Sequence, residues 1–110
     1  MKTKLMVTNE NDVFSISIAN GLDDIFIWRF DDNEQEHIYF ECIYDEREIG
    51  GYGLVKECTV MFDGMHMVLT SGEILHFYFN DFSRVDYKKL CTTLALMYAD
   101  VSGVLGVVDK

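Results

Sequence analysis

Apolar and polar residues alternate through most of the chain before Phe79. That period of two is what a strand shows when one face is buried and the other is wet. In "VFSISIAN", Phe14, Ile16 and Ile18 face one way and Val13, Ser15 and Ser17 the other. "IFIWRF" sets Phe26, Trp28 and Phe30 against Ile25, Ile27 and Arg29. "HIYFECIY" sets Ile38, Phe40, Cys42 and Tyr44 against His37, Tyr39, Glu41 and Ile43. "KLMVTN" reads as a short first strand, and Gly50, Gly51 and Gly53 read as a flexible loop.

"KECTVMFDGMHMVLT" predicts a hairpin turning on Asp63-Gly64, with positive φ at the glycine. That register pairs Phe62 with Met65, Val60 with Met67 and Cys58 with Leu69, all on the core face. "TSG" then predicts a three-residue loop with Gly72 left-handed. It places Leu75, Phe77 and Phe79 on the same face and sets His66 opposite His76 on the other. After Phe79 the period lengthens. Ser83 reads as an N-cap, and Tyr87, Leu90, Leu94 and Met97 recur at helical spacing, with Cys91 and Tyr98 beside them. The tail 101–108 is apolar, and either a last strand or a packed extension suits it.

The prediction is one domain over residues 1–110, β-rich α+β. Strands within 3–79 form a mainly antiparallel sheet of six or seven strands, and one C-terminal amphipathic helix at about 83–99 packs on it. The length suffices for a hydrophobic core. Cys42, Cys58 and Cys91 are odd in number and without CxxC spacing, which suits reduced core thiols rather than disulfides or a zinc knuckle. The only apolar run near the start is Leu5-Met6-Val7, too short for a signal peptide, and no later run approaches a membrane span. A cytoplasmic protein with no membrane partner is expected.

Charge changes the picture most. The formal net charge is −10, from nineteen Asp and Glu against nine Lys and Arg. Between Asp23 and Glu48 there are ten acids and two bases, Arg29 and Arg47, so most of the excess lies in under a quarter of the chain. This balance repels phosphates and argues against a nucleic-acid partner. A focused negative field speeds and orients encounter with a basic protein, and interspersed tyrosines can anchor such an interface. The candidate partner-binding residues are Asp31, Asp32, Glu34, Glu36, Tyr39, Glu41, Asp45, Glu46, Glu48 and Tyr52. A merely solvated charged face is the plain alternative.

Other chemistry is weaker. Asp23-Asp24, Asp31-Asp32 and Asp45-Glu46 could supply an acid and a base, but they fall in exposed turns where nothing converges on a cleft. His66 and His76 lack a third ligand nearby, so a surface or partner-facing pair is expected, with no metal and no cofactor. "GGYG" lacks the spacing and following helix of a phosphate loop, and no nucleophile motif is present. No catalytic residue is assigned, and the protein is not expected to be an enzyme.

The order of features resembles immunity protein 10, a family found beside toxins in bacterial polymorphic and contact-dependent competition systems. The resembling segment is "IFIWRFDDNEQEHIYFECIYDEREIGGYGLVKECTVMFDGMHMVL". It has an aromatic strand, an acidic turn, an aromatic strand with embedded Glu41, a glycine-rich piece and the hairpin, and the ending "YKKLCTTLALMY" also fits. The similarity spans Phe14 to Tyr98. It implies a small cytosolic protein that binds and neutralises a cognate toxin domain, with a basic nuclease-type domain the partner such a charge suits. It transfers no site residue. An acidic adaptor or subunit is the runner-up reading, and a small enzyme a more distant one.

Overall fold

The computed structural model describes residues 2–31 and 38–108. It is β-rich α+β, with nine strands among the described residues, divided between two sheets rather than joined in one. The first sheet is an antiparallel meander of β1 (Lys4–Glu10), β2 (Val13–Asn20), β3 (Asp24–Asp31), β4 (Tyr39–Tyr44) and β5 (Arg47–Tyr52), in that order. The second holds β6 (Val55–Met61), β7 (Gly64–Leu69), β8 (Ile74–Tyr78) and β9 (Leu105–Val108), ordered β8-β7-β6-β9. The apolar tail is thus a strand, and it runs parallel to β6.

The alternation sends even-numbered residues of β2, β3 and β4 inward: Ile16, Ile18, Phe26, Trp28, Phe40 and Cys42 are all buried. The second sheet answers with Cys58, Val60, Met65, Met67, Leu75 and Phe77. Phe26 and Phe77 meet across the two sheets with ring centroids 5.0 Å apart. The helix α1 (Arg84–Met97) completes the core with Tyr87, Leu90, Leu94 and Met97, and buries Thr93 as well. Ser83 caps it, its Oγ accepting from the Asp86 N–H at 3.1 Å. Thr93 is affordable inside because its hydroxyl donates to the Lys89 carbonyl at 2.8 Å.

Polar ties also join the sheets. Buried Thr3 donates its N–H to the Asn80 carbonyl (2.8 Å) and its hydroxyl to Asn20 Oδ1 (2.5 Å), and its Oγ1 accepts from the Asn80 N–H (2.7 Å). Asn20 Nδ2 donates to the Tyr78 carbonyl. Away from this latch, Arg47 pairs with Glu73 and the His76 N–H donates to the Tyr44 hydroxyl.

Two sequence expectations are corrected. The hairpin turns on Phe62-Asp63, with Met61 opposite Gly64, Val60 opposite Met65 and Cys58 opposite Met67. Gly64 is not among the residues of positive φ. It is the first residue of β7, and a Cβ there would lie 2.3 Å from the Phe77 carbonyl oxygen. Close approach of β8, not turn geometry, therefore requires glycine. The slide keeps both strands' inward faces but leaves Phe62 45% exposed, and a bulge at Val55/Glu57 moves Leu69 opposite Val55.

The second correction concerns the glycines. Gly50 and Gly51 are in strand β5, paired with β4 opposite Glu41 and Phe40, and are not a loop. The chain returns at once after β4 through Asp45-Glu46, whose φ values of 52° and 62° make a two-residue turn with both central residues left-handed. Asn11-Asp12 does the same between β1 and β2, at 52° and 66°. Glutamate tolerates that region poorly. Replacing Asp45-Glu46 by Asn-Gly should stabilise the protein by about 1 kcal/mol through relief of that strain. A urea midpoint that does not rise would show that the turn is not strained.

Candidate protein-binding face

The outward side of the meander carries the odd-numbered residues of β2 to β4 and the even-numbered ones of β5, and its register makes neighbours of residues far apart in sequence. One row across the sheet reads Ile25, Ile43, Glu48, and the next Ile27, Glu41, Gly50. A third reads Arg29, Tyr39, Tyr52. Tyr39 and Tyr52 meet edge-to-face with centroids 5.2 Å apart, and the Arg29 guanidinium lies 5.8 Å from the centre of the Tyr39 ring. Gly50 sits under this group. A Cβ there would meet Tyr39 Oη at 3.2 Å and Glu41 Cβ at 3.3 Å. The missing side chain leaves a hollow of about 340 Å³, floored by Ile25, Ile27 and Ile43 and rimmed by Glu41 and Glu48.

Four of the ten predicted residues, Tyr39, Glu41, Glu48 and Tyr52, therefore share one face. Asp45 and Glu46 form the turn at one end of it, and Asp24, opposite Asn20 at the start of β3, lies toward the same end. Asp31 closes β3 at the other end, opposite Val13. Asp32, Glu34 and Glu36 lie outside the described residues. The floor was readable in the sequence, since Ile25, Ile27 and Ile43 fall opposite the core positions of their strands.

Glu41 and Glu48 outnumber Arg29, the one base in these three rows of β3 to β5. Arg47, the base nearest Glu48 in sequence, pairs with Glu73, and Arg29 is engaged with Tyr39. Among the described residues no ion pair joins Glu41 or Glu48 to a base. Glu41 is half-buried and lines the hollow beside the isoleucines.

The second sheet also has an open face. The predicted pairing of His66 with His76 holds, with ring centroids 4.8 Å apart, and Gly72 has φ of 92°. Thr59, Met61 and Tyr78 complete a hollow of about 440 Å³ over Gly64. Among the described residues no group of three or more His, Cys, Asp or Glu side chains could hold a metal ion. Two of the thiols, Cys42 and Cys58, are held protonated near neutral pH, which makes them poor nucleophiles. Burial, with Glu73 adding and Arg47 opposing, pushes Cys42 up to about 11. Burial, with Cys91 adding, pushes Cys58 up to about 12. No helix among the described residues is long and apolar enough to cross a membrane.

Comparison with known proteins gave no matching family model, no matching curated protein and no matching solved structure.

Proposed function

We propose that this protein is a non-enzymatic immunity protein of the bacterial cytoplasm. It binds a basic, nuclease-type toxin domain and neutralises it by occupying the surface that the toxin needs for its phosphate-bearing substrate. One observation carries the reading: Tyr39, Glu41, Glu48 and Tyr52 share one sheet face, the two carboxylates rimming an apolar hollow and forming no ion pair among the described residues. A solubilising charge has no need of a hollow or of paired aromatics beside it. Interfaces are built this way, with aromatic anchors near apolar ground and charge around them. The resemblance to immunity protein 10 points in the same direction. A basic partner is also the one a nuclease would present, since its cleft must attract phosphates.

Co-expression with the toxin domain encoded directly upstream tests the reading, scored by survival and by a complex on size exclusion. Neutralising Asp45, Glu46 and Glu48 to Asn, Gln and Gln, or Asp31, Asp32, Glu34 and Glu36 likewise, keeps shape and removes charge. For at least one cluster the association rate should fall by about tenfold or more at low salt and lose much of its salt dependence, with folding intact. If both variants associate at the wild-type rate and salt dependence, the acidic surface is only solvated. Cell death with no complex would favour an acidic adaptor or subunit without a toxin partner.

A further inference from the structure

We infer that the hollow over Gly50 is a receptor for one arginine side chain of the protein partner, its guanidinium bridging Glu41 and Glu48. The inference rests on the docking reading above and names what docks.

The register supplies the spacing. Glu41 stands opposite Gly50, and Glu48 is two residues along the same strand, so the two carboxylates are diagonal neighbours. Diagonal Cβ atoms of an antiparallel pair lie roughly 7 Å apart, a gap that one planar guanidinium spans when each carboxylate takes one edge. The floor matches the rest of the side chain. Arginine carries a three-carbon stem that packs on apolar surface while its head keeps polar company. Ile25, Ile27 and Ile43 supply that surface. Gly50 lines the hollow without a side chain, and a Cβ there would press on Tyr39 Oη at 3.2 Å and Glu41 Cβ at 3.3 Å. Arg47 is taken by Glu73, and Arg29 lies over the Tyr39 ring without forming an ion pair with Glu41 or Glu48, so the two carboxylates are open to a cation from outside. Lysine meets these demands less well. Its ammonium is a strongly hydrated point charge that cannot present one edge to each of two separated carboxylates. The hollow also lies beside β5, the edge strand of its sheet.

The test uses the whole protein and three capped tripeptides, Gly-Arg-Gly, Gly-Lys-Gly and Gly-citrulline-Gly, followed by methyl and amide NMR shifts. Weak, millimolar-range binding is expected of so small a probe. The arginine peptide should shift the methyls of Ile25, Ile27 and Ile43 together. Citrulline, which keeps shape and loses charge, should leave them in place. Glu41→Gln and Glu48→Gln should each weaken the arginine effect by roughly tenfold, as expected for loss of one charged hydrogen-bond partner. Asp12→Asn, on the remote β1–β2 turn, should leave it unchanged. No coherent isoleucine shift, equal binding of the lysine peptide, or full binding by either Gln variant would each overturn the assignment. The two readings fail separately. Peptide binding alongside a toxin indifferent to both acidic clusters would remove the immunity role and keep the receptor. Charge-dependent toxin binding with a silent hollow would do the reverse.

Discussion

Gly64→Ala should destabilise the protein by about 2–4 kcal/mol, near the upper end of what overpacking costs. The reason is specific. Gly64 opens β7 between two partners, Met61 on β6 and Tyr78 on β8. An added Cβ would fall 2.3 Å from the Phe77 carbonyl oxygen and 3.2 Å from Tyr78 Cα. Those are backbone atoms of a paired strand, and neither can swing aside as a flexible side-chain tip would. Either β8 parts from β7, taking Leu75 and Phe77 out of register with the core, or β6 and β7 loosen. A second variant separates this cause from the turn geometry that the Asp-Gly dipeptide suggests. Asparagine tolerates positive φ, so Gly64→Asn would be mild if the left-handed region were what the site demands. If space is what matters, Asn should cost at least as much as Ala. Urea midpoints of the two variants decide between them.

That misassignment shows what the sequence could and could not reveal. The alternation in "KECTVMF" and "MHMVL" is strong enough to place Cys58, Val60, Met65 and Met67 inside under either register, because the slide preserves parity. The pattern says which face is buried but not which residues stand opposite, and Asp-Gly is equally compatible with a turn and with a close strand approach. The His66–His76 pairing was legible because Gly72 and the burial of Leu75 and Phe77 fixed the loop length together. The division into two sheets was not, since no local signal at Gly53-Leu54 marks where the chain leaves one sheet for the other. Nor was the parallel pairing of β9 with β6, which depends on where α1 delivers the chain. Thr3 looks like an ordinary polar residue near a terminus and is in fact buried in the latch to Asn20 and Asn80.

The candidate site divides along the same line. Its charge was visible as a run of acids with two bases among them. Its shape was not, because shape depends on Gly50 lying in a strand opposite Glu41. Three glycines within four residues look locally like a flexible loop. Only the two-residue turn at Asp45-Glu46 brings Gly50 and Gly51 into the sheet, and that turn uses a glutamate at positive φ, a choice propensity does not suggest. Charge placement is a property of composition, and concavity is a property of register.

Phe26→Ala should be among the most damaging single substitutions, costing about 3–5 kcal/mol for the cavity it opens, with the high end expected here. Phe26 is fully buried and is where the two sheets meet. Its ring centroid lies 5.0 Å from that of Phe77 on the opposing sheet, and 6.0 to 6.4 Å from those of Trp28, Phe40 and Tyr44 on its own. Such aromatic pairs add roughly 0.5–1.5 kcal/mol each beyond area burial, and truncation removes all four. The neighbours cannot collapse into the space easily, since they project from two sheets held by their own ladders and by the Thr3 latch. A domain of this size has only about 5–15 kcal/mol in total, so the variant should be near its limit of folding at 37 °C. Phe26→Leu keeps most of the volume and should cost less, about 1–2 kcal/mol. Phe62→Ala is the control, because Phe62 is 45% exposed and touches mainly Tyr87 and Arg84. Its cost should stay near 1 kcal/mol, the centre of ordinary substitutions. Equal losses at Phe26 and Phe62 in urea denaturation would mean that the sheets do not share one core through Phe26.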